Sequence, residues 1–196
     1  MTSPNQTLAN TLLTFCESYT KAFRSQIGHL PIVEHDSQWL SPCEISRHDE
    51  TCFYWQPVAI SALKDQDSEL APCFDNVELA LNLPLHEDIK TYFTTIYSSD
   101  IEATCKDGAL SLLFAWNRAD FDRLQQNIIG HIMMKQRLKQ TETIFFAVTD
   151  EEDIIISLNN DNGEVWVERV GCRPHKKLSD SLAMFITQLT PNILTS

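Results

Sequence analysis

Carboxylates dominate the side chains of this chain that could do chemistry. Twenty-seven Asp and Glu face fifteen Lys and Arg, a net charge of −12 at neutral pH over 196 residues. The densest run, Asp150-Glu151-Glu152-Asp153, could attract a cation, but it lacks the alternating ligand order of a calcium loop and reads as a solvated turn. Cys43, His48 and Cys52 form the nearest Cys/His grouping, at a spacing that matches no structural zinc pattern. His131 falls one residue from an apolar helical stripe, where a histidine bonded to a backbone carbonyl is expected before a catalytic base. No two of the five glycines lie within phosphate-loop spacing, and no Gly-x-Ser-x-Gly elbow is present. No metal and no cofactor are expected. Two chemistries remain: a carboxylate pair working as a hydrolase, or carboxylates recognising a basic partner.

The acid is unevenly spread. From Glu34 to Asp100 thirteen carboxylates oppose Arg47, Lys64 and Lys90, a net of −10, whereas residues 101–196 carry only −3. Such a field repels the phosphates of nucleic acids and the anionic cytoplasmic leaflet; it suits a basic partner, and on composition alone it equally serves solubility without naming one. Six cysteines without a Cys-x-x-Cys pair are expected as free thiols in a reducing cytoplasm. Residues 1–15 hold no cation and are interrupted by Asn and Thr, so no signal peptide is expected. No apolar run approaches the roughly 20 residues of a membrane span.

The elements that must position these groups centre on a long helix over Asn117–Lys139. Phe121, Leu124, Ile128, Ile132 and Leu138 recur at helical spacing, and Ile129 and Met133 widen the stripe. Asn117 suits the cap, Asp120 and Asp122 the positive end of the dipole, and Lys135, Arg137 and Lys139 the other end. A first helix is read over residues 4–27, closed by Gly28. Residues 29–49 read as mostly loop, pinned by Trp39 and Leu40, before a short strand at 52–56. An acidic surface loop at 61–71 and two helices at 74–81 and 86–95 follow. Strands at 100–105 and 109–116 flank the turn Lys106-Asp107-Gly108. After the long helix come strands at 143–148, 154–158 and 164–170, the last two joined by a hairpin turn at 159–163. Residues 179–189 close the chain as a helix started by Ser179 or Asp180, with Leu182, Phe185, Ile186 and Leu189 on one side. The expected fold is α+β, a mainly antiparallel sheet packed by the long central helix and by N- and C-terminal helices, in one domain spanning 1–196.

Ser41-Pro42-Cys43, Tyr54-Trp55-Gln56-Pro57 and Tyr92-Phe93-Thr94-Thr95 with Asp100 resemble the Syd family of bacterial proteins. The likeness runs on through Leu112, Leu113, Trp116, Asp120-Phe121, Asn127-Ile128-Ile129-Gly130-His131, Arg137-Leu138-Lys139 and Gly163-Glu164-Val165. It covers nearly the whole chain in order. The resemblance implies an α+β fold related to the SUKH superfamily of interaction and immunity domains, with an acidic concave face. It implies a non-enzymatic, monomeric protein held on the cytoplasmic side of the inner membrane by SecY of the SecYEG translocon. One departure is that Asn117-Arg118-Ala119 is less acidic than the family implies. The contacts expected for a basic partner are Glu78, Asp88, Asp100 and Glu102, then Asp120 and Glu152, with Trp55 and Trp116 as aromatic anchors. The competing readings are an immunity-type domain that neutralises a basic toxin and a carboxylate-based hydrolase.

Overall fold

The computed structural model describes residues 4–63 and 71–194. The chain opens with helix α1 (Pro4–Ile27), whose buried stripe is Leu8, Leu12, Phe15, Cys16 and Tyr19. Gly28 ends it at φ +90°, donating its amide to Arg24 O at 2.9 Å. Residues 29–49, expected as loop, contain two short strands, β1 (Ile32–Glu34) and β2 (Glu44–Arg47). Both pair with β3 (Cys52–Trp55) in a three-stranded antiparallel sheet of order β1-β3-β2. Three or four residues are too few for alternation to show in the sequence, and the bulge between Glu44 and Ser46 disturbs it further. The pinning expected of Trp39 and Leu40 uses one ring and one carbonyl. The Arg123 guanidinium stacks 4.0 Å over Trp39, while Leu40 leaves its side chain 61% exposed and accepts a bond from Asn117 Nδ2 at 2.9 Å.

β4 (Val58–Ala59) pairs with β5 (Ile96–Tyr97), and α2 (Asp75–Leu81) and α3 (Glu87–Thr95) lie between them in sequence. The expected acidic loop centred on residues 64–69 lies outside the described residues. A seven-stranded antiparallel sheet follows, made of β6 (Ile101–Cys105), β7 (Gly108–Leu112), β8 (Thr143–Val148), β9 (Ile154–Asn159), β10 (Val165–Arg169), β11 (Lys176–Ser179) and β12 (Thr190–Pro191). Its order is β11-β10-β9-β8-β7-β6-β12. Both hairpin turns form where expected, with Gly108 at φ +140° and Gly163 at φ +74°. The strand expected to reach Trp116 leaves the ladder at Leu112. β11 and β12, two short edge strands, were not legible. Lys176 in β11 pairs with Asp107 in the β6–β7 turn at 2.9 Å, so the sheet bends far enough for its edge to reach the hairpin four strands away. The closing helix α5 (Leu182–Thr187) starts later than expected. Its cap is Ser181, whose hydroxyl accepts the Met184 amide, while Ser179 belongs to β11.

Rings tie these layers together. Phe185 of α5 meets Phe146 of β8 at 5.8 Å, and Phe146 meets Tyr92 of α3 at 5.5 Å. Tyr92 meets Phe93 at 4.8 Å, Phe93 meets Phe74 at 6.3 Å, and Phe74 meets Phe121 of the long helix at 5.2 Å. That helix, α4 (Arg118–Arg137), is rotated from the apolar stripe read in the sequence. Its buried residues are Phe121, Gln125, Ile128, His131, Ile132 and Lys135, whereas Met133 and Leu138 are 42% and 48% exposed. Each buried polar side chain of this helix has a partner, as burial demands. Gln125 Nε2 donates to Cys73 O at 2.5 Å. His131 Nε2 lies 3.1 Å from Thr143 Oγ1 and 3.4 Å from Glu168, a side-chain partnership in place of the expected backbone carbonyl. Lys135, expected as positive charge at the helix end, is fully buried and donates to Glu168 Oε2 at 2.7 Å and to Cys172 O at 2.9 Å. Burial works against the Glu168 charge, but hydrogen bonds from His131, Lys135 and Thr143 outweigh it and hold the carboxyl below its usual range.

Removing the ammonium leaves Glu168 charged and unpaired inside the protein. Lys135→Met is expected to lose about 3–5 kcal/mol in urea unfolding, with part of the loss recovered in Lys135→Met/Glu168→Gln. Because the folded carboxyl titrates low, the stabilisation it gives is complete above the ordinary glutamate value of 4.5 and is lost as pH falls through the folded value. Gly130 sits in mid-helix at a conformation open to any residue, with nothing within 4 Å of an added Cβ. Gly130→Ala is therefore expected to raise stability by about 0.5–1 kcal/mol, read from the same unfolding curves.

Candidate functional site

The start of α4 organises the candidate site. Asn117 Oδ1 accepts the Asp120 amide at 2.9 Å, which satisfies a helix-start donor, and Asp120 Oδ2 reaches back to accept the Trp116 amide just ahead of the cap at 2.9 Å. Ser41 Oγ donates to Trp116 O at 2.5 Å, so the tryptophan backbone is held from both sides. Its half-buried ring stands edge-on to Trp55 at 5.9 Å, and Trp55, buried, stacks on Tyr19 at 6.2 Å. The apolar floor of the site is this row of three rings.

Carboxylates gather beside it. Asp100, just before β6, accepts the Phe114 amide at 3.4 Å. It is exposed to solvent, yet crowding by protein atoms raises its carboxyl above the usual aspartate range. The neighbouring charges of Asp120 and Glu102 push it further, against the Phe114 hydrogen bond. Glu102 is half-buried on β6 between buried Ile101 and Ala103, so strand alternation turns it to the opposite face. The Tyr19 phenol is pushed up to about 12, first by burial, then by Glu102 and Cys16. Asp100, Glu102, Asp120, Trp55 and Trp116 thus share one neighbourhood.

The other three expected contacts lie elsewhere. Glu78 accepts the Leu85 amide at 2.7 Å and Lys90 Nζ at 3.1 Å. Burial opposes its charge, but these two donors prevail and lower its carboxyl, which clips α2 to α3. Asp88 receives the Leu182 amide at the start of α5; burial and Glu87 raise its carboxyl against His86 and that amide. Glu152 stands exposed in the turn between β8 and β9. Sequence reasoning missed the part played by Tyr19, which its helical spacing marks as core alone, and by Ser41, which the family likeness includes but nothing local ties to Trp116.

Among the described residues no group of three or more His, Cys, Asp or Glu could hold a metal ion. In the Cys43, His48 and Cys52 grouping, His48 and Cys52 adjoin across the β2–β3 turn, the His48 amide donating to Cys52 O at 2.9 Å, but the three form no group that could hold a metal ion. Cys43 is fully buried with its thiol pushed up to about 12 by burial, and His48 Nδ1 is engaged 2.8 Å from the Tyr54 hydroxyl. The arrangement around Asp100 is an open acidic face with an aromatic floor, which suits recognition of cationic side chains.

These features define an α+β protein that presents a carboxylate-rich face beside stacked rings. The family model described as "Syd protein (SUKH-2)" matches residues 9–191. A relative named Protein Syd from Colwellia psychrerythraea is 64% identical over 191 residues, covering 97% of this chain and 96% of the relative. Those from Alteromonas mediterranea and Pseudoalteromonas atlantica are 48% identical over 160 residues and 40% over 173. They cover 81% and 87% of this chain and 84% and 89% of their own lengths. The chain belongs to the Syd family.

A carboxyl whose pKa is raised by folding carries a charge that opposes folding above that pKa. Asp100→Asn keeps an acceptor for Phe114 and removes the charge. It is expected to raise the urea midpoint at pH 7, with the gain shrinking as pH falls toward the ordinary aspartate value of 3.8.

Proposed function

We propose that this protein binds basic cytoplasmic segments of SecY through the face formed by Asp100, Glu102 and Asp120, with the half-buried ring of Trp116, backed by the buried Trp55, as its apolar anchor. It acts without catalysis, as a monomer, and modulates assembly or quality control of the SecYEG translocon. The observation that carries the reading is the placing of Asp100 near Glu102 and Asp120, beside the half-buried ring of Trp116. Membership of the Syd family supports the choice of partner, because SecY is the partner that the likeness to that family implies.

The physics favours the same pairing. Cytoplasmic loops of membrane proteins carry an excess of Lys and Arg. A chain with net charge −12 is steered toward them and repelled by anionic lipid, so its place on the inner membrane comes from a protein contact. Among the described residues no helix is long and apolar enough to cross a membrane.

The test is a salt titration of binding to SecYEG held in nanodiscs. Binding is expected to weaken steadily with ionic strength, and Asp100→Lys/Glu102→Lys to weaken it by about tenfold or more at low salt. Binding that ignores both salt and charge reversal would remove this face as the contact.

A further inference from the structure

An open groove of about 340 Å³ runs between α4 and the seven-stranded sheet, away from the face described above. Gly130 and Met134 form its helical wall, and Phe145, Val148, Ile155 and Val170 its sheet wall. These walls are hydrocarbon, and the apolar surface continues onto Val170, which is 45% exposed. His131 also reaches the groove, but its Nε2 is engaged with Thr143. With few polar groups to orient a small molecule, the groove suits apolar side chains of a larger partner.

Gly130 gives the second observation. A glycine in mid-helix is unfavourable, and here no positive φ and no neighbour within 4 Å requires it. Its missing side chain opens the groove and lets another backbone approach α4 closely, as small residues do where helices cross. The third observation is charge. The turn Asp150–Asp153 joins Val148 to Ile155, and the Val170 amide donates to Asp153 O at 2.8 Å, so four exposed carboxylates border one end of the groove. Arg169, 4.0 Å from Asp153, is the cation paired there, leaving an excess of negative charge.

We propose that this groove docks a helical segment of a partner protein, with large apolar residues along one side and Lys or Arg at the end that meets the acidic turn. Glu152, which lies outside the Asp100 face, belongs to this second surface. The proposal does not rest on the SecY reading. The four carboxylates exclude an anionic lipid surface or a nucleic acid as the occupant. The apolar walls make hydrophobic contact its anchor, and the turn sets its direction.

The test uses the full chain and two synthetic helical peptides, one of Leu and Lys and one of Leu and Glu, read by fluorescence anisotropy. The Leu–Lys peptide is expected to bind saturably and about tenfold or more tighter than the Leu–Glu peptide. Gly130→Trp fills the groove and is expected to weaken binding by about tenfold or more with the unfolding midpoint kept, while Asp100→Lys leaves most of it intact. Glu151→Lys/Glu152→Lys, on the exposed turn, is expected to weaken it as well and decides the question alone if Gly130→Trp does not fold. Equal binding of both peptides overturns the proposal. So does full binding by a folded Gly130→Trp protein or by the turn variant. Self-association in sedimentation that Gly130→Trp abolishes would make the occupant a second copy and also overturn it. Because neither peptide carries a SecY sequence, failure here and failure in the nanodisc titration are separate results.

Discussion

The constraint on which the rest depends is the ammonium of Lys135, which has no access to water. A charge removed from solvent must find its counter-charge and further hydrogen-bond partners, and Glu168 and the Cys172 carbonyl supply them. Glu168 in turn accepts from Thr143 Oγ1 at 2.7 Å. One buried network therefore locks α4 to β8 and β10, and it sets which side of that helix turns inward. Such a pair adds little net stability over apolar groups of similar size; its effect is on which arrangement is allowed. With α4 oriented this way, its N-terminus brings Asn117, Asp120 and Trp116 to the acidic face, and Gly130 and Met134 to the open groove.

Much of the architecture was legible because local chemistry and final packing agree. The two hairpins carry glycine where the chain needs positive φ, and the strands flanking them are long enough to alternate. Helix α1 carries a regular apolar stripe up to its terminating glycine. Elements were missed where tertiary pairing alone makes them. β1 and β2 have three and four residues and exist because β3 offers both its edges. The apolar stripe on α4 lies slightly off its true buried line, since Gln125 and Lys135 give no sign of burial, and His131 only of a core edge, until their partners, distant in sequence, are in place.

The candidate site was legible in kind and only partly in membership. An acidic excess points to a basic partner, but it does not say which carboxylates are free to meet one. Glu78 and Asp88 spend their oxygens on the amides of Leu85 and Leu182, and so position helices. Asp120 does both, capping α4 while adding its charge to the cluster at Asp100. Composition treats these roles alike. The Ser41 hydroxyl on the Trp116 carbonyl spans seventy-five positions, beyond the reach of any local pattern.

The two ends of the large sheet have a bearing on solubility. A sheet edge offers unpaired amides and carbonyls on which another chain can grow. Here one border is β11, with Lys176 and Lys177 in its four residues, and the other is β12, two residues long and ending in Pro191. Lysines disfavour a flat neighbour, and a proline has no amide to give one. A protein so built resists polymerising edge to edge, and can expose an adhesive face to its surroundings without seeding fibrils of itself.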